Sequence, residues 1–157
     1  MRAIVQATDR LHHLLFAMAA DAADHDVHVD WVDRADQLLP TLSAALDTGW
    51  LPDIVLVIAG DDGAPLDAVA AIDRDAILWP TPIVVASLQP SEQERLRAYA
   101  CGADWYLTLP DRFSEIVDLL EFLPSRASIA AGLVDGPGLV DRAALDMVER
   151  IEAYLAA

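Results

Sequence analysis

Lysine is missing altogether from these 157 residues; all ten basic residues are arginine, set against 26 aspartates and glutamates, for a net charge of −16. A chain with so little positive charge has no basic patch with which to neutralise phosphates. That argues against direct binding to nucleic acid or to an anionic membrane. A lysine-free, aspartate-rich surface fits both a salt-adapted host and a GC-rich genome. The single cysteine, Cys101, leaves no intramolecular disulfide and fits a reducing compartment. No apolar run reaches the roughly 20 residues of a bilayer-spanning helix, and no charged-then-apolar leader opens the chain. A cytoplasmic protein is the expectation. Glycine-rich phosphate cradles of the GxGxxG or Walker type are absent, as is a GxSxG elbow around Ser87, so neither a nucleotide cofactor nor a hydrolase nucleophile is predicted.

What is present is apolar and periodic. Hydrophobic residues make up 55 % of the chain, enough for a sizeable core in a single domain. The organising stretch is PDIVLVIAGDDG, Pro52 to Gly63, in which a continuously apolar strand enters an acidic turn. Such a strand belongs at the centre of a parallel sheet, covered on both faces. Before it, Arg2 to Ala7 reads as a first strand and Val27 to Val32 as a second, whose alternation suits an edge. A helix from about Asp9 carries Leu11, Leu14, Leu15, Met18, Ala19 and Ala22 on one face, taken as the inner one, with Thr8 or Asp9 as cap. His12 and His13 fall on its solvent-leaning side. Asp33 is placed to cap a second helix through Ala35, Leu38, Leu39, Leu42 and Leu46, which Pro40 should kink or divide and Gly49 should end.

After the central strand, Pro65 to Leu78 reads as helix, with Leu66, Val69, Ala70 and Ile77 inward. Ile83 to Ser87 reads as a fourth strand. Ser91 and Glu94 form a capping-box signature for a helix with Leu96, Tyr99 and Ala100 inward and Gly102 as its stop. Trp105 to Leu109 is the fifth strand, and Asp111 heads a helix with Phe113, Ile116, Val117 and Leu120 on its apolar stripe. Strictly alternating strands and helices predict an α/β domain with a parallel sheet and right-handed crossovers over residues 1–123. Residues 124–138, rich in Pro, Gly and Ala, read as a linker. Residues 139–157 read as a further C-terminal helix, with Val140, Ala144, Met147, Ile151 and Tyr154 in a stripe wide enough to need a cover.

In its central strand, in PIVVAS (Pro82 to Ser87) and in GADWYLTLP (Gly102 to Pro110), residues 1–123 resemble the receiver domain of bacterial response regulators. The resemblance implies a flavodoxin-like three-layer αβα sandwich with strand order 2-1-3-4-5. It also implies a chemistry: an aspartate ending strand three accepts a phosphoryl group, and an acidic pair after strand one holds Mg²⁺. A hydroxyl ending strand four and a lysine ending strand five contact the phosphoryl oxygens. Such transfer is mostly positioning and charge neutralisation, with hard oxygen ligands for the metal. Carried over position by position, the acceptor falls on Ile58, the acidic pair on Gln6 and Ala7, and the lysine on Leu109. Only the hydroxyl is kept, as Ser87. Tyr106 matches the aromatic that reports activation, and Leu109-Pro110 stands where the family has a Lys-Pro dipeptide that is often cis. The resemblance therefore implies an atypical pseudo-receiver without the phosphoacceptor.

The acids of the turn, Asp61 and Asp62, lie three and four residues beyond Ile58, and a three-residue shift moves a carboxylate roughly 10 Å along an extended chain. They read as a solvated turn that caps the next helix. In HDVHVD, Asp26, His28 and Asp30 share a strand face, yet no second ligand cluster accompanies them, and neither a metal nor a cofactor is expected. Cys101 has no neighbouring cation to activate it. Trp105 and Tyr106 point to opposite faces of strand five, beside the helix-four, strand-five, helix-five surface through which the resembled family signals and dimerises. They are candidate interaction residues, together with Met147, Ile151 and Tyr154. The expected function is a non-enzymatic, phosphorylation-independent signalling or regulatory module. It contacts protein partners, and its terminal helix either folds back over its own sheet or pairs with its twin in a homodimer, the arrangement that a linker of about fifteen residues favours. Alternatives are a small-ligand sensor around Ala7, Ile58 and Leu109, or a receiver phosphorylated at Asp61 or Asp62.

Overall fold

The computed structural model describes residues 1–121 except 25, 51, 61, 76, 77, 79 and 80. The linker and terminal-helix expectations, 124–138 and 139–157, lie outside the described residues. Five strands form one parallel sheet in the order β2-β1-β3-β4-β5: β1 Arg2–Gln6, β2 His28–Val32, β3 Ile54–Ala59, β4 Ile83–Ser87 and β5 Trp105–Thr108. The helices are α1 Arg10–Ala22, α2 Leu38–Asp47, α3 Ala64–Asp73, α4 Glu92–Ala100 and α5 at 113–121.

Every residue of β3 and β4 is buried, as their uninterrupted apolar sequence demands, whereas β2 at the edge buries only Val32 fully. Alternation then sorts the side chains into two cores. Ile4, Val55, Val57, Ile83 and Val85 pack with Leu38 and Leu42 of α2, Leu66, Val69 and Ile72 of α3, and Ala98 of α4. Ala3, Val5, Ile54, Leu56, Val84 and Ala86 pack on the other face with Phe16 and Ala19 of α1 and Ile116, Leu119 and Leu120 of α5. At roughly 1.5 to 3 kcal/mol for each fully buried large aliphatic side chain, these two layers dominate the stability of the domain.

Local signals placed the element ends. Asp9 caps α1, its Oδ1 accepting the Leu11 N–H at 2.9 Å. Pro40 divides the second helix as expected: a 3₁₀ turn, Ala35–Gln37, precedes α2, and Pro40 falls in the first helical turn, where its missing N–H has no intrahelical partner to lose. Asp33 does not cap that helix; it reaches instead toward His13. Gly49 and Gly102 end α2 and α4 at φ +77° and +107°. A Cβ on Gly102 would lie 2.4 Å from Asp73 Cγ, so close packing fixes glycine there as firmly as the dihedral does.

Two expectations about inner faces and one about a helix end need correction. On α1 the buried residues are Phe16 and Ala19, while Leu11, Leu14 and Met18 are exposed. The helix is apolar around most of its girth, and the one large ring won the sheet contact. On α4, Ala98 faces inward, with Leu96 and Ala100 exposed, because a small residue lets the helix sit close to the sheet. Helix α3 ends at Asp73, short of Leu78: Asp75 turns the chain by accepting the Leu78 N–H at 3.1 Å.

Candidate functional site

The carboxyl ends of β1, β3, β4 and β5 bring together the positions singled out in the sequence, and the pleat divides them into two sets. On the α1/α5 side, Ala7, Ile58 and Leu109 join one core cluster with Phe16, Ala86 and Leu107. They are 0 %, 7 % and 9 % exposed. No side chain in this plug offers an oxygen to a cation or a nucleophile to a phosphoryl group. No cis peptide occurs among the described residues, so Leu109-Pro110 is trans.

Gln6 and Ser87 alternate to the opposite face, that of Val57, Val85 and Tyr106, and both are wholly buried. Neither the Gln6 amide nor the Ser87 hydroxyl has a hydrogen-bond partner among the described residues. Tyr106 is different. Its hydroxyl donates to Glu94 Oε1 at 2.7 Å and accepts the Ser91 N–H at 3.3 Å. Ser91 Oγ meanwhile accepts the Glu94 N–H at 3.1 Å, as a capping box requires. The return half of that box, from the Glu94 carboxylate to the Ser91 N–H, is thus bridged by a phenol from β5. Burial pushes the Tyr106 phenol above its ordinary range and the Glu94 carboxylate adds to the rise, while Ser87 and the Ser91 N–H offset part of it. The Ser87 hydroxyl is near enough for that effect but short of hydrogen-bond geometry.

Outside this network an open cleft runs between the starts of α3 and α4, lined by Gly60, Asp62, Gly63, Ser91, Glu94 and Arg97 among others. Asp62 accepts the Ala64 N–H at 3.1 Å, the turn role expected of it; Asp61 lies outside the described residues. Arg97 spans the cleft toward Asp67 at 3.5 Å, and a Cβ on Gly63 would meet its guanidinium at 3.2 Å.

The remaining candidates are dispersed. His28 and Asp30 approach each other at 3.4 Å and Arg2 stands 4.0 Å from Asp30, while His25 is outside the described residues. Among the described residues no three His, Cys, Asp or Glu side chains gather around a possible metal position. Cys101 is half-buried at the end of α4. Tyr106, 5 % exposed and engaged in the cap, is not available as a surface anchor; Trp105 is half-buried on the other face of β5. His13 is turned inward rather than toward solvent. Its Nε2 lies 2.6 Å from the Ala7 carbonyl, Nδ1 lies 3.4 Å from Asp33, and the ring stacks on Trp31 at 4.7 Å. The sequence cue for that role was the aromatic Trp31 on the adjacent edge strand. Met147, Ile151 and Tyr154 lie outside the described residues.

A parallel 2-1-3-4-5 sheet clad by α1 and α5 on one face and α2 to α4 on the other is the receiver-like, flavodoxin-type fold. Solved response regulators superpose on it closely. The phosphorylated cyanobacterial phytochrome response regulator RcpA is 18 % identical with a TM-score of 0.66, over 79 % of this chain and 91 % of its own. The signal receiver domain of the putative response regulator NarL from Mycobacterium tuberculosis is 24 % identical with a TM-score of 0.62, over 81 % and 95 %. HP1043, an orphan response regulator of H. pylori, is 19 % identical with a TM-score of 0.60, over 81 % and 96 %. No family model matches the sequence, and neither does any curated protein. No helix among the described residues is long and apolar enough to cross a membrane.

Proposed function

We propose that this chain is a phosphorylation-independent signalling or regulatory module, cytoplasmic and non-enzymatic, that works by protein contact as a homodimer. The observation that carries the reading is Ile58, packed with Ala7 and Leu109 in a closed apolar cluster at the position where the resembled family places its reacting carboxylate. The chain has no lysine to neutralise a transferred phosphoryl group. Its state is then set by differential binding of a partner. Incubation with acetyl phosphate and Mg²⁺ followed by mass spectrometry tests the reading. The expected spectrum is unmodified; a stoichiometric phospho-aspartate, at Asp61, Asp62 or elsewhere, overturns it.

The open cleft between α3 and α4 favours a second reading, in which a small ligand sets the state. The cleft replaces the pocket expected around Ala7, Ile58 and Leu109, whose side chains are packed together. A co-purified ligand, or one that raises the melting temperature in proportion to occupancy, supports it.

A further inference from the structure

One apolar surface of the domain has no cover among the described residues. On α1, Leu11 and Leu14 are each 57 % exposed and Met18 is 50 % exposed. Spaced by three and four residues, they form a single stripe along the helix, beside the Phe16 and Ala19 face that holds the sheet. Single exposed leucines are ordinary; a row of large side chains along one helix marks an interaction surface.

What fits the stripe is argued from the remainder of the chain. Glu121, the last described residue of α5, accepts the Asp24 N–H at 2.9 Å, which sets it beside the C-terminal end of α1. Residues 139–157 follow, with Val140, Ala144, Met147, Ile151 and Tyr154 at helical spacing. As a helix that stripe measures about 21 Å at 1.5 Å per residue, against about 20 Å for the 13 residues of α1. A return onto α1 of the same chain needs only the 2 to 8 residues usual between neighbouring helices. Residues 124–138, whose composition reads as a linker, are about twice that length, which suits reach to another molecule.

We propose that the α1 stripe is the seat of residues 139–157 of a second copy, exchanged reciprocally so that each molecule supplies one arm and one seat about a two-fold axis. This rests on the homodimer of the preceding section and gives it an interface. Light scattering on full-length chains over a concentration series tests it with Leu14→Glu in the seat and Ile151→Glu in the arm. Leu11→Glu serves as a second seat variant, and thermal melts establish that each variant is folded. The wild type is expected to be dimeric, and each substitution to raise the dimer dissociation constant at least about a hundredfold, the loss typical of a truncated interface anchor. A dimer that survives Leu14→Glu and Leu11→Glu overturns the seat while leaving the homodimer standing. A dimer lost in the seat variants but kept in Ile151→Glu overturns the arm. A wild type that is monomeric throughout overturns the homodimer itself and the exchange with it.

Discussion

The two faces of the sheet end differently at its carboxyl edge. On the α1/α5 side the strands finish in Ala7, Ile58 and Leu109, a plug with no polar atom in its side chains. On the α2 to α4 side β1 and β4 finish in Gln6 and Ser87, and β5 adds Tyr106 two residues before its end, three buried polar groups of which only the phenol has a partner among the described residues. The first half has the packing of an ordinary core; the second keeps polar chemistry under cover. The contrast teaches that the fold does not need a charged cluster at this edge to close, since apolar side chains fill the same space at no desolvation cost.

The strongest test of the contrast puts a carboxylate into the plug. Ile58→Asp is expected to destabilise the domain by about 3 to 5 kcal/mol, measured by urea denaturation, because a buried charge meets no lysine or metal. Burial should raise the new carboxyl above its unfolded value, so the folded state binds the extra proton. The deficit should therefore shrink as pH falls toward about 4. An Ile58→Asp chain as stable as the wild type breaks the contrast outright.

The next effect has the opposite sign. Gln6→Met keeps the length of the side chain and removes two buried polar atoms that have no partner among the described residues, so a gain of about 1 to 2 kcal/mol is expected. A loss of similar size in the same denaturation experiment means that the amide is held by something bound to the protein. Tyr106→Phe, by contrast, removes the engaged hydroxyl and leaves Glu94 and the Ser91 N–H without their bridge. The expected cost is about 1 kcal/mol, with faster amide exchange at the start of α4 as the local readout. The smallest effect is on pH dependence. The Tyr106 phenol is raised by burial above the ordinary 10.0, so its contribution is fully present below pH 10 and lost as pH climbs through the raised value. Melting temperatures measured upward from pH 9 should fall more steeply for the wild type than for Tyr106→Phe.

Most of the fold was legible because its strongest signals are local. Uninterrupted apolar runs marked β3 and β4 as central, Asp9 and Ser91 announced helix starts, and Gly49 and Gly102 announced stops. Strand order came from the resemblance, since nothing in a parallel strand's own sequence names its neighbours. Helix faces were less legible. In α1 two apolar stripes overlap, and spacing alone cannot say whether Phe16 or the Leu11, Leu14, Met18 row meets the sheet. At the site, the identities at Gln6, Ala7, Ile58, Ser87 and Leu109 could be read, but their division between two faces needed the pleat. The phenol inside the capping box was hidden for the same reason: it joins residues from β5 and α4 whose relation is purely tertiary.

The contact between Glu121 and Asp24, 97 residues apart in sequence, also sets a schedule for synthesis. Phe16 and the α1 side of the sheet receive Ile116, Leu119 and Leu120 only when α5 arrives. At the roughly 5 to 20 residues per second of translation, α1 waits on the order of 5 to 20 seconds for the helix that completes its layer. Throughout that interval the nascent chain presents one half-built apolar face. Whatever binds there first, chaperone or neighbouring nascent chain, competes with the closing of the domain.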